Sequence, residues 1–193
     1  NKYVIHCMNT DKLCIFTNKG RLHTVKIIDL PYGKFRDKGT PLDNISNYNS
    51  SEETIVYIDC LGGLFGRKLL FVSSSGMLKQ VDGAEFDVSK RTTAATKLNA
   101  GESLFLAEPL AETEEESIVL QTEKGMFLRF LASSVPQKKK GAIGVRGMKI
   151  DEKDSLKAAY LLGDEERVIE EKDKQIMLHR LRIACRDGKG VKR

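Results

Sequence analysis

Three stretches of the chain share one pattern: an apolar run, a short polar loop ending in glycine, and a second run mixing apolar and polar positions. They read CIFTNKGRLHTV from Cys14, LFVSSSGMLKQV from Leu70 and VLQTEKGMFLRF from Val119. Aligned on Gly20, Gly76 and Gly125, they bring Leu13, Leu69 and Ile118 into register, then Ile15, Phe71 and Leu120, and beyond the turn Leu22, Leu78 and Phe127. Apolar runs of this length, separated by a polar loop that closes on glycine, predict three β-hairpins. The glycine supplies the positive φ of a tight turn.

Each hairpin is followed by a second landmark: Gly39 in RDKGTPLDNI, Ala95 in RTTAATKLNA and Gly144 in KKKGAIGVRGMKI. A further apolar run comes after each, at 54–58, 103–107 and 156–162. The unit recurs about every 50 residues, the period of propeller blades rather than of helical repeats. Its copies span roughly 11–60, 67–110 and 116–163, with a degenerate fourth over 166–193. In the fourth, 167–170 and 176–181 pair around Lys172-Asp173-Lys174 with no glycine, and the closing RDGKGVKR echoes the landmarks. An amphipathic helix over 168–182 is the alternative; strands prevail because the apolar positions do not hold helical spacing. A closing repeat is where departures from the pattern are expected. The prediction is one all-β domain over 1–193, a propeller-like disc of about four blades of four strands.

The chain has 193 residues, 40 % of them hydrophobic and none of them Trp, so the core must be built mainly from Leu, Ile, Val and Phe. No apolar run approaches the ~20 residues of a membrane-spanning helix, and Asn1-Lys2-Tyr3 opens no signal-peptide pattern. These features point to an intracellular protein with no membrane contact, and the missing initiator Met reads as a piece of something larger. Cys7, Cys14, Cys60 and Cys185 show no CxxC spacing and are expected as buried reduced thiols. His6, His23 and His179 stand alone and are expected as strand residues, not metal ligands. No GxSxG, HExxH or P-loop pattern occurs. Glu114, Glu115 and Glu116 read as a solvated acidic loop. No catalytic residue and no metal ligand is expected.

Net charge is +5 with a pI near 9.0, which alone decides little. The distribution decides more. Glu108 to Glu123 holds acids without a base, whereas Ser133 to Ile150 holds bases without an acid. Lys34, Arg36 and Lys38, then Lys90, Arg91 and Lys97, then Lys138, Lys139, Lys140, Arg146 and Lys149 fall between a hairpin and the next apolar strand. Lys19 and Arg21 flank the first hairpin glycine, and Arg186 and Lys189 lie in the basic C-terminal stretch. Equivalent loops of successive blades occupy equivalent places, so these residues are expected to form one cationic band on the rim. Such a band suits a curved polyanion, with affinity falling as salt rises. Few aromatic residues accompany it, against single-strand recognition. In GAIGVRG, Gly141, Gly144 and Gly147 either admit a phosphate to the backbone or relieve crowding at the crossing, and both readings stand. A propeller serving as a protein–protein scaffold is the rival function.

The run LCIFTNKGRLHTVKIIDLP…KGTPLDNI, residues 13–45, resembles the opening of a repeat in the C-terminal domain of the A subunit of bacterial DNA gyrase and topoisomerase IV. KKKGAIGVRGMKI, residues 138–150, resembles a later repeat, and the likeness extends over essentially the whole chain. The resemblance implies a β-pinwheel whose blades exchange strands and whose basic rim binds and bends duplex DNA. It further implies a place in an ATP-dependent type II topoisomerase, an isomerase. There the domain presents a DNA segment to the catalytic part of the same polypeptide, while the B subunit hydrolyses ATP with Mg²⁺. Neither cofactor is expected in this piece, and the setting implied is the bacterial cytoplasm and nucleoid. Gyrase carries a basic glycine box of the type QRRGGRG, absent from this sequence. That difference favours the topoisomerase IV type, or places the box upstream of Asn1.

Overall fold

A computed structural model describes residues 2–193. Fourteen strands are distributed over four blades. The first hairpin is β1 (Lys12–Thr17) and β2 (Arg21–Lys26), followed by the one-turn helix α1 (Leu42–Ile45), β3 (Ile55–Cys60) and the one-turn helix α2 (Leu61–Leu64). The second repeat holds β4 (Lys68–Ser73), β5 (Met77–Asp82), β6 (Thr92–Ala94) and β7 (Leu104–Pro109). The third holds β8 (Ser117–Thr122), β9 (Met126–Leu131), β10 (Val145–Arg146) and β11 (Leu156–Leu162). The fourth holds β12 (Val168–Glu171), β13 (Lys174–Met177) and β14 (Val191–Lys192).

The sheets run β3-β1-β2-β6, β10-β5-β4-β7, β11-β8-β9-β14 and β12-β13. The second, third and fourth repeats therefore each hand a short third strand back to the blade before. Thr92–Ala94 pairs with β2, Val145–Arg146 with β5 and Val191–Lys192 with β9, all antiparallel. This is the strand exchange of a pinwheel. Three blades have four strands and the fourth has two, since within the described residues β13 receives no donor and β12 has no outer strand beside it. The donor stretch of the first repeat, 31–40, is exposed throughout.

Apolar side chains of the hairpins alternate between two cores, which is why the strands read as nearly continuous apolar runs. In β4, Leu69 and Phe71 join Cys14, Phe16 and Leu22 of the first blade, whereas Leu70 and Val72 join Ile118, Leu120 and Phe130 of the third. Val119, the residue between Ile118 and Leu120, turns towards Ile176 and Leu178 of the fourth. Phe86, in the 3-10 turn after β5, is fully buried with its ring edge-on to Phe16 at 4.9 Å. Burying such a side chain stabilises by about 1.5–3 kcal/mol. The second repeat thus wedges an aromatic residue into the seam beside the strand it donates.

Main-chain bonds at the exchange fix the register. Ala95 N donates to Gly20 O at 2.8 Å, Gly147 N to Gly76 O at 2.9 Å and Arg193 N to Gly125 O at 3.1 Å. The residue equivalent to Ala95 is therefore Gly147, not Gly144, and the RDGKGVKR echo is the donated strand β14. Gly39 meets nothing within 4 Å and docks on no blade. The fourth hairpin turns on Lys172 and Asp173, both at positive φ (49° and 62°), so a two-residue primed turn is made without glycine. Its second strand starts at Lys174, and Leu178–Arg180 is a 3-10 turn, not strand. His179 sits in that turn and His6 lies outside any strand; His23 alone is a strand residue. All four thiols are free, with Cys14 and Cys60 buried, Cys7 half-buried and Cys185 exposed.

A buried polar set locks the first exchange. His23 lies opposite Thr92, its Nδ1 2.9 Å from Thr92 Oγ1 and its Nε2 2.6 Å from Glu53 Oε1. Burial pushes the Glu53 carboxyl up, and the side chains of Thr17 and His23 together outweigh it, holding it below the usual range. A carboxylate lowered on folding stabilises above its unfolded pKa, and the contribution is lost as pH falls through the lower, folded value. Acid titration of thermal stability should therefore show a loss below about pH 4.5 that is smaller in Glu53→Gln. Parallel acid profiles for the two proteins would exclude this lock.

Candidate nucleic-acid interface

The recurring bases cluster where one blade receives the next repeat's strand. Opposite the residue that follows each turn glycine stand Ala94, Arg146 and Lys192. Two residues past Ala95 and Gly147 come Lys97 and Lys149, equivalent by the same hydrogen bonds. Just before Gly20 and Gly125 come Lys19 and Lys124. Near the third junction Lys124, Lys149, Lys189 and Lys192 line a cavity of about 440 Å³ together with Met148, Ile150, Asp151 and Asp154. At the first junction Lys19, which stands where Lys124 does, lines a second cavity of about 530 Å³ together with Arg21 and Lys97.

The crossing loops connect these junctions. Lys97 N donates to Lys140 O at 3.2 Å, so the basic loops of the second and third repeats touch. Lys138 N donates to Gln80 O at 2.8 Å and Gln80 N donates to Pro136 O at 3.1 Å, laying the KKK loop along β5. Lys149 N donates to Gly188 O at 2.8 Å, joining the third loop to the C-terminal stretch. Thr24 Oγ1 donates to Lys90 O, Gln80 Nε2 to Ala132 O and Arg129 Nη1 to His179 O, one polar side chain per blade holding the crossing segment of the next.

Of the fifteen bases singled out from sequence, ten are exposed and their side chains engage no acid or hydrogen-bond acceptor among the described residues: Lys19, Lys34, Arg36, Lys38, Lys90, Lys97, Lys138, Lys139, Lys149 and Lys189. The other five are committed internally. Arg146 grips Asp187 in two bonds, 2.5 and 3.1 Å, and that guanidinium holds the Asp187 carboxyl below its ordinary range. Arg186 donates to the carbonyls of Arg146 and Ser134, Arg91 to Ile45 O, and Lys140 Nζ to Glu85 O. Arg21 faces Glu52 and Glu53 at 4.0 and 3.6 Å. Lys34, Arg36 and Lys38 stand apart on the undocked loop beside Tyr32 and Phe35, both fully exposed. Lys124 and Lys192 are not singled out by the sequence reading, although Lys124 precedes its turn glycine as Lys19 does.

Crowding explains two of the three glycines of GAIGVRG. A Cβ on Gly144, at φ +101°, would sit 2.5 Å from Leu78 O, and one on Gly147 2.6 Å from Leu78 Cδ2 and 2.8 Å from Leu120 Cδ1. Gly141 meets nothing within 4 Å. Glu116 is not solvated; it is buried and accepts from Ala111 N and Glu112 N, leaving Glu114 and Glu115 exposed. Among the described residues no group of three His, Cys, Asp or Glu could hold a metal ion, and no helix is long and apolar enough to cross a membrane.

The family model of the DNA gyrase C-terminal domain, a β-propeller, matches residues 67–110 and 116–162, the second and third repeats. The chain belongs to the DNA gyrase A C-terminal domain family. The DNA gyrase A protein of Lawsonia intracellularis is 30 % identical over 159 residues, covering 82 % of this chain and 19 % of that protein. The DNA topoisomerase 4 A protein of Streptococcus pyogenes is 27 % identical over 163 residues, covering 82 % and 20 %. The chain thus spans about a fifth of these relatives' length. The crystal structure of a C-terminal domain of DNA topoisomerase IV superposes with a TM-score of 0.85 at 23 % identity, covering 97 % of this chain and 60 % of that one. A DNA gyrase A C-terminal domain superposes at 0.67 and 19 %, covering 96 % and 60 %. The pinwheel follows from this membership and from the observed exchange alike. The stretch with the plainest resemblance, 13–45, lies outside the family-model match.

Gly144→Ala places a methyl group against a carbonyl at positive φ, so it should cost about 1–3 kcal/mol and lower the melting temperature. Gly141→Ala should leave stability within about 0.5 kcal/mol, as an open surface site does. Calorimetry of both variants distinguishes crowding from a shared structural need for glycine.

Proposed function

We propose that this gyrase-family domain binds duplex DNA through its phosphates, bends it without reading bases, and presents it to the catalytic part of a type IIA topoisomerase for ATP-dependent strand passage. The observation that carries this reading is the recurrence of unpaired lysines at equivalent places of successive exchange junctions, with the loops between them in main-chain contact. A phosphate backbone presents charge at regular intervals, and a periodic cationic surface matches it without base-specific geometry. Smoothly bending a short duplex costs on the order of 1–6 kcal/mol, so several such contacts must act together. The DNA-binding residues proposed are the ten unpaired bases, extended by Lys124 and Lys192. Together with the ATPase partner the domain acts in the bacterial nucleoid, and in the topoisomerase IV manner it bends without completing a wrap.

Lys138→Gln with Lys139→Gln should weaken binding to a non-specific duplex and flatten the salt dependence by about 1.8, at roughly 0.9 per phosphate contact. An unchanged slope removes this loop from the interface, and binding indifferent to salt returns the protein–protein scaffold reading. Bending without wrapping makes a second expectation: nicked plasmid ligated in the presence of the domain should show no shift in linking number. A shift of one sign that grows with bound protein would establish a chiral wrap instead.

A further inference from the structure

Lys79 is a charged side chain buried where the fold does not ask for one. Three residues past the turn glycine, its equivalents in the neighbouring blades are His23 and Leu128. Its side chain is only 1 % exposed, yet it forms no ion pair among the described residues. Its Nζ instead donates to three main-chain carbonyls of one loop, Lys139 O at 3.1 Å, Lys140 O at 2.8 Å and Ala142 O. An ammonium has three hydrogens and no lone pair, so three acceptors satisfy it completely. Burial pulls this lysine down to about 8, with the Glu85 carboxylate acting against that from the 3-10 turn after β5. Holding the charge inside therefore costs free energy that the Leu of the third blade avoids.

The surroundings show what that cost secures. Ala142 N donates to Lys139 O at 3.0 Å, closing a turn around the ammonium. Lys140 O accepts from both Lys79 Nζ and Lys97 N, so one carbonyl links the buried lysine to the loop of the second repeat. Lys140 N donates to Glu85 Oε1 at 3.2 Å, closing the cage on its other side. Gly144 lets the chain pass so close that a Cβ there would lie 3.2 Å from Lys79 Cβ. The loop so held carries Lys138 and Lys139, both exposed.

We infer that Lys79 is a positioning residue: it never meets the polyanion, but fixes the Lys138–Lys140 loop and its contact with Lys97 in the shape that presents their charges outward. The functional half of this inference rests on the DNA-binding reading above, and the structural half does not. The test uses Lys79→Leu, which places at this position the residue the third blade already tolerates, with Lys79→Met as a second variant. Loss of a buried charged hydrogen-bond donor should speed amide exchange at Ala142 and Lys97 by about 10-fold or more, while amides of β1 and β8 stay within about twofold. DNA affinity should fall about 3–10-fold, and adding Lys79→Leu to the Lys138→Gln, Lys139→Gln protein should lower it by less than it does in the wild type, because coupled positions are not additive. Unchanged exchange at Ala142 and Lys97 in a folded variant overturns the inference, as does acceleration spread evenly over all blades. Local acceleration with wild-type DNA affinity upholds the anchoring and overturns the DNA-binding role of this loop.

Discussion

The arrangement depends on backbone groups that no repeat can satisfy alone. A hairpin edge leaves N–H and C=O groups unpaired, and burying such groups without partners costs about 1–3 kcal/mol each. Here the edges of β2, β5 and β9 are each covered by only two or three residues from the following repeat. Those short ladders set the spacing of the blades, bring the crossing loops of the later repeats to the blade surface and so determine where the basic side chains of those loops can stand. The apolar cores do not compete with this constraint; they lie between sheets, and the donated strand comes with an anchor into them, as Phe86 comes with β6.

Much of the hairpin framework is legible in the sequence because the hydrophobic pattern has two independent witnesses. The apolar runs mark the strands, and the turn glycines mark the register between copies. Gly20, Gly76 and Gly125 all have positive φ, as a turn signal implies. The third-strand register read from sequence is displaced because KKKGAIGVRG offers several glycines, and only the hydrogen bond to Gly76 O singles out Gly147 over Gly144. The fourth hairpin is placed but mis-bounded, because Lys172 and Asp173 adopt left-handed backbone that sequence assigns more readily to glycine or asparagine.

The candidate interface is legible as charge and not as geometry. Ten bases are unengaged, but Arg146, Arg186, Lys140, Arg91 and Arg21 direct their donors to acids and carbonyls elsewhere in the chain. Such partners lie 40 or more residues away for Arg146, Arg186 and Lys140, beyond the reach of any local pattern. The acids hide their roles in a similar way: Glu116 looks like one more member of a carboxylate run, yet its two backbone donors make it structural.

Backward donation of strands separates the unit of heredity from the unit of shape. A spatial sector is assembled from two consecutive segments of the polypeptide, whereas the segment that can be copied whole begins at a hairpin and ends before the next. Splicing one more complete segment between any two existing ones would leave each ladder filled, since the newcomer gives a strand to its predecessor and takes one from its successor. Arrays of different length are thus reachable by tandem duplication as far as the main-chain ladders are concerned.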